Sequence, residues 1–325
     1  MGSSSSYRTG AVLVIIACTF FALNGIVARI AIDGGLSPIS VAAVRTVGGA
    51  LCLLPFVVLV WRRFTRAMLL PVIAYAAIGI FASQALYFQT LSYLDVALAL
   101  VLSYIAPLPI AIYQHVRRGE RLPRYAYAVM VVAIGGVTLS VLGGSGGVGA
   151  VSIIGVCFGL ATMITFAAMV ILSARQPAQL GPMARAGAPM IVAAVLYLFV
   201  VPPWSFPYDK LDDVVVLAGR FHLEVPLWTT LIWIVVLGSV VPFSLVLAGN
   251  ARVGSGAASM LGMTEPVVGS IAAWVILGQL LSLVQIVGIL ITVVAVAIVE
   301  HARTRFIHEV ELPGMLPPLA DGNPR

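Results

Sequence analysis

Runs of mainly apolar residues, each near the ~20 needed to cross the hydrocarbon core of a bilayer as a helix, recur along this chain from end to end. Ten segments qualify: 10–32, 38–60, 68–91, 94–114, 125–142, 149–173, 183–203, 227–249, 254–277 and 281–300. Such recurrence excludes a soluble body behind a single signal peptide. It predicts an all-α integral membrane protein with ten transmembrane helices. The chain is 61% hydrophobic and 9% charged, against roughly a quarter charged residues in soluble proteins. Mean hydropathy is +1.09.

Charge placement sets the expected orientation. With the N-terminus inside, fourteen of the 18 Lys and Arg fall on the inner side and only Lys210 and Arg220 on the outer, while Arg29 and Arg45 lie within spans. The positive-inside rule then places both termini in the cytoplasm of a cell membrane, inner or plasma. The net charge of +6 sits in short connections between spans, which argues against a nucleic-acid partner. Cys18, Cys52 and Cys157 fall in apolar runs and the four histidines are scattered. No disulfide framework, metal site or cofactor is expected. "GSGGVG" (144–149) has the form of a dinucleotide-binding loop but joins two spans with no preceding strand, so it reads as a turn. "MGSSSS" at the start fits a myristoylation pattern and equally an artificial leader.

The chain repeats itself. At an offset of 139 residues, the first span matches the sixth at nine of the 29 positions from 10 to 38, including Gly10/Gly149, Cys18/Cys157 and Pro38/Pro177. At an offset of 159, the fourth matches the ninth, with Pro107/Pro266 and Gly119/Gly278 among the pairs. The difference corresponds to extra outer sequence between spans seven and eight. Each copy holds five spans, an odd number, so the second enters the membrane from the opposite side. The expected organisation is a cytoplasmic tail (1–9), a first repeat (10–142), a second repeat (149–300) with an outer loop at 205–226, and a cytoplasmic tail (301–325). Inverted repeats are the architecture of many secondary transporters, with the substrate site at the repeat interface near the midplane.

"ALVLSYIAPLPIAI" (99–112) followed by "RGERL" (118–122), and "ASMLGMTEPVVGSIAAWVILGQLL" (258–281) followed by "QIVGILI" (285–291), resemble the drug/metabolite transporter superfamily and specifically its EamA-type ten-helix members. The resemblance spans residues 10–300. It implies a gradient-linked carrier of small metabolites, often an amino-acid exporter. The chain departs from the family pattern at "FFALNG" (20–25), which lacks a tryptophan before the glycine, and at Gln279, where glutamate is common.

Several residues could carry the work. Glu265 lies roughly 16 Å from the inner end of span nine, at 1.5 Å per residue, where an acidic group costs about 2.5–3.5 kcal/mol to insert. It reads as a proton-coupling group, as a counter-ion for a substrate amine, or as a structural carboxyl. Pro107, Pro109 and Pro266 interrupt spans four and nine, leaving the carbonyls of Ser103, Ile105 and Gly262 without their helical donors; the alternative is a simple packing kink. Arg45 could accept a substrate carboxylate bidentately, pair with Asp95, or snorkel outward. Arg29 reads as a snorkelling interface residue. Asn24, Gln84, Tyr87, Ser103 and Tyr104 are candidates to line a substrate cavity or to bond neighbouring helices. Trp61, Trp204 and Trp228 read as interface anchors. The outer loop reads as a variable insertion or a lid, with room for a short interfacial helix.

The expected function is secondary active transport of small metabolites, amino acids or related compounds, by alternating access, with export following from the resemblance. The partners are then a small-molecule substrate and the lipid bilayer, with proton coupling possible through Glu265; the sequence assigns no oligomeric state. A non-transporting sensor or assembly subunit would usually carry a soluble signalling domain. A membrane enzyme or flippase acting on lipid-linked substrates would need a clustered catalytic site, and none is visible.

Overall fold

A computed structural model of the chain describes residues 2–118, 123–143, 152–216 and 224–311. Among them, nine helices are long and apolar enough to cross a membrane. The interrupted Ser255–Leu277, whose apolar second piece Thr264–Leu277 is too short to count by itself, makes a tenth span beside Gly2–Asp33, Pro38–Leu59, Arg66–Tyr93, Val96–Arg118 (interrupted), Arg124–Leu142, Ile153–Ser173, Gly181–Val200, Leu227–Val253 and Leu283–Glu311. Large apolar side chains such as Leu51, Leu70, Val131, Ile164, Phe199 and Leu290 are exposed. They form the belt that hydrocarbon covers.

Span nine is not the continuous helix expected over 254–277. It stops at Gly262, turns at Met263 and restarts as Thr264–Ala272. Span four does the same, ending one helix at Tyr104 and starting another at Pro107. The prolines therefore act as helix starters rather than kinks. Pro107, Pro109 and Pro266 all lie in a first turn, where the missing N–H has no intrahelical partner to lose. The carbonyls of Ser103 and Ile105, expected to be left open, accept instead from Ala106 N (3.3 Å) and Leu108 N (2.9 Å) in tight turns.

A second matched irregularity was not expected. Span three widens into a π-helix over Tyr75–Ala82 and span eight over Val236–Val240. The 159-residue offset superposes the two and pairs Gly79 with Gly238. Contacts between spans follow the same logic. Spans two and seven pack together, as do five and ten, while one packs on eight and three on six. Exchanging the halves maps this set of pairings onto itself. At the five–ten contact, a Cβ on Gly288 would come within 2.6 Å of Gly136 O, so these backbones meet through small residues.

Both ends of the chain are more helical than expected. The first helix begins at Gly2, and the last continues through Glu311. The tail beyond 311, the "GSGGVG" turn, most of "RGERL" and the first residues of span six as drawn from 149 lie outside the described residues.

The outer loop contains no interfacial helix among its described residues. It forms two single 3₁₀ turns, Pro203–Ser205 and Tyr208–Lys210, and an antiparallel ribbon of β1 (Val214–Val216) and β2 (Glu224–Pro226) with Val215 opposite Val225. The three consecutive valines favour strand over helix. Residues 217–223, including Arg220, lie outside the described residues. Val215 joins a buried cluster with Leu36, Val41, Leu91, Val201 and Leu227 that closes the end of the bundle expected to be outer. Lys210 Nζ donates to Gly35 O at 2.9 Å, across the turn between spans one and two.

Arg29 does not snorkel. Its Nε lies 2.9 Å from both Asp33 carboxylate oxygens, and its Nη1 donates to Leu91 O (2.8 Å) and Leu94 O (3.1 Å). It therefore ties span one to the unsatisfied carbonyl end of span three. Asp95, in the next turn, has its carboxyl pushed above the usual value by burial, with Arg29 opposing the shift. Because the pair with half-exposed Asp33 is worth little, the carbonyl bonds dominate. Arg29→Ala should lower stability by about 1–3 kcal/mol, and Asp33→Asn by under about 0.5 kcal/mol, measured as thermal midpoints in detergent. Equal losses would contradict the assignment.

Candidate functional site

Between the halves lies a cavity of about 380 Å³. All seven residues singled out as cavity candidates line it: Asn24, Arg45, Gln84, Tyr87, Ser103, Tyr104 and Glu265. Pro107 also reaches it, whereas Pro109 and Pro266 do not.

Arg45 is buried, and neither a pair with Asp95 nor outward snorkelling is found. Its Nε donates to Ser239 Oγ (3.0 Å), Nη1 to Gln84 Oε1 (2.6 Å) and Nη2 to Gly238 O (3.2 Å). The Phe88 ring centroid lies 5.8 Å from Cζ. Two of these partners belong to the π-helical turn of span eight, which brings a backbone carbonyl and a hydroxyl to the same side chain. A cation held by three neutral groups has its geometry fixed while its charge stays unmatched by any of them.

Glu265 occupies the first turn of the restarted half of span nine. That position suits a carboxylate, because the N-terminus of a helix carries partial positive charge. The Tyr104 hydroxyl donates to Glu265 Oε2. The bond joins the last turn of span four's first half to the first turn of span nine's second half, break to break. The Pro107–Arg118 helix also starts at the cavity, so two helix N-termini border it.

The remaining candidates differ in what they leave open. Asn24 is 2% exposed, and its Oδ1 has no hydrogen-bond partner among the described residues. The Ser103 hydroxyl proton goes to Ala99 O at 2.8 Å, which commits that donor to the backbone. The Tyr87 ring packs on Phe88 and stacks on Phe166, with centroids 5.6 and 6.2 Å away. Gly25 leaves room for its hydroxyl, since a Cβ there would lie 2.9 Å from it.

Sequence reasoning missed three kinds of residue. The apolar walls, Phe21, Phe166, Met169 and Phe243, carry no signal that separates them from lipid-facing neighbours. Glu300 is 1% exposed and lines the cavity, but at the last position of span ten it passes for an interface residue. Gly238 touches the network directly: a Cβ there would lie 1.9 Å from Asn24 Oδ1. Its pairing with Gly79 at the 159 offset was a signal available in the sequence. Among the described residues, no three His, Cys, Asp or Glu side chains gather to hold a metal ion.

A helical bundle of two like halves, with interrupted spans and a cavity at their interface that carries a few polar groups, has the architecture of a membrane transporter. The EamA-like transporter family matches residues 8–142 and again 153–300. The chain belongs to that family and is a multi-pass membrane protein carrying two copies of its repeat. Twenty-two chains of solved structures match it. One, described only as "Crystal structure of protein", has a TM-score of 0.55 at 19% identity, covering 95% of this chain and 100% of that one. At that identity the likeness extends to the fold alone. No curated protein matches the chain significantly.

Gly238→Ala should cost about 1–3 kcal/mol by overpacking against Asn24, seen as a lowered thermal midpoint. Adding Asn24→Ala should recover most of that loss. No recovery in the double variant would place the strain elsewhere.

Proposed function

We propose that the chain is a secondary active transporter that exports small zwitterionic metabolites, amino acids or close relatives, by alternating access of two inverted five-helix repeats. One observation carries the reading: a buried guanidinium with only neutral hydrogen-bond partners and a midplane carboxylate line the same cavity. Arg45 and the N-terminus of the Pro107–Arg118 helix favour a substrate carboxylate. Glu265 favours an ammonium group. Phe21, Phe166 and Met169 cover an apolar body between them. The membrane is a cell membrane with both termini inside, on the strength of fourteen inner basic residues against two outer ones.

In that orientation the form described is closed outward and reaches inward. The outer end is sealed by the cluster around Leu36 and Val215, while the cavity extends to Ile110, Val170 and Glu300 near the inner ends of their spans. Glu265 is the proton-coupling group. Substrate ammonium and proton compete for its carboxylate, so the protein returns either with a proton or with substrate.

Flux in liposomes loaded with labelled amino acids tests the reading. Arg45→Lys should raise KM for carboxylate-bearing substrates about 10–100-fold, the equivalent of about 1.5–3 kcal/mol for a charged hydrogen-bond pair, while changing little for their methyl esters. Glu265→Gln should abolish uptake driven by an imposed proton gradient while the protein still inserts and folds. Gradient-driven flux that survives in Glu265→Gln with an unchanged pH profile would remove proton coupling through this residue.

A further inference from the structure

The central cavity has a neighbour with which it shares a wall residue. A second cavity of about 180 Å³ lies between spans two, seven and eight. Its span-eight wall runs from Ser239 to Asn250, about 16 Å at 1.5 Å per residue. Leu53, Met183, Met190 and Leu247 make it mainly apolar. Asn250, toward the end of span eight, is part of its lining, and the buried Asn250 Oδ1 has no hydrogen-bond partner among the described residues.

Two side chains connect this space to the transport site. Ser239, on its boundary, is the residue that accepts from Arg45 Nε at 3.0 Å, so the second cavity begins one hydrogen bond from the guanidinium. Phe243 lines both cavities. It is 47% exposed and meets Phe21 edge-on, with centroids 5.2 Å apart and planes at 76°. Phe243 is the one side chain shared by the two described linings, which places it at their boundary. By the 159-residue offset, Phe243 is the counterpart of Gln84, the side chain that holds Arg45 from the other half.

We propose that the second cavity is an apolar subsite of the transport site, and that Phe243 is the partition deciding whether a substrate's apolar substituent enters it. The inference rests on the reading of Arg45 and Glu265 as holders of a zwitterionic head. With the head anchored there, the sideways space next to Arg45 is the one behind Phe243. The methionine walls adapt to substituents of different shape. The class of ligand is an amphipathic zwitterion whose apolar chain outgrows the central cavity.

A graded series of unbranched α-amino acids, from α-aminobutyrate to α-aminodecanoate, tests this in liposomes made with wild type, Phe243→Ala and Phe243→Ala/Ala186→Phe. Ala186 lines the second cavity, so the added ring fills it. Phe243→Ala should raise the ratio of kcat/KM for the longest over the shortest substrate at least ~10-fold, the order expected for an added or lost methylene in an apolar pocket. Filling the second cavity should return the ratio to the wild-type value. An unchanged ratio in Phe243→Ala overturns the inference. So does a raised ratio that the filled variant keeps, because the gain would then come from the central cavity alone. If Phe243→Ala fails to fold by its thermal midpoint, Phe243→Leu carries the same comparison. If wild type moves no member of the series, the zwitterion reading falls and this inference with it.

Discussion

Hydrocarbon offers no hydrogen bonds, so a charge or an interrupted helix at the bilayer midplane survives only where protein satisfies it. Here that requirement is met by joining the two halves. Arg45 in the first repeat is held by Gly238 and Ser239 of the second, with Gln84 completing the set. Tyr104 in the first repeat donates to Glu265 in the second. The groups most costly to bury are therefore the ones that fasten the halves together. The irregular spans follow from the same need. A π-helical turn brings Gly238 and Ser239 to the guanidinium, and the restart of span nine puts a carboxylate at a helix N-terminus. A continuous helix would do neither.

The matched defects give this arrangement its symmetry, and the side chains break it. Spans three and eight widen at equivalent positions, and spans four and nine break at equivalent positions. Yet Glu265 stands opposite Ala106, and Gln84 opposite Phe243. Equivalent backbone defects are what the proposed exchange of roles between the halves would require. Inequivalent side chains give the cavity Arg45 from the first half and Glu265 from the second, with Glu300 as a further acidic group in its lining.

Much of the fold was legible because hydrophobic runs of membrane length are a strong signal, and the matching offsets announced two like halves. The seven cavity candidates were legible because a polar group in such a run stands out. What escaped had a physical reason in each case. Pro107 and Pro266 announce an interruption, but their sequence does not distinguish a kink from a new helix whose first turn tolerates proline. Arg29 looked like an interface residue because its true partners, the carbonyls of Leu91 and Leu94, are backbone atoms more than 60 positions away. Phe243 and Gly238 matter through where they sit, not through what they are, and only the packing of span eight against spans one and two reveals that.

The central claim is that one cavity holds a carboxylate at Arg45 and an ammonium at Glu265 at the same time. The most direct measurement is substrate protection of a cysteine placed at Ser103, in a chain freed of Cys18, Cys52 and Cys157, against alkylation by a maleimide. A zwitterionic amino acid should protect the cysteine, and its methyl ester and its N-acetyl derivative should each protect at least ~10-fold more weakly, because each removes one charged partner. Equal protection by all three compounds would contradict the claim, as would protection by none.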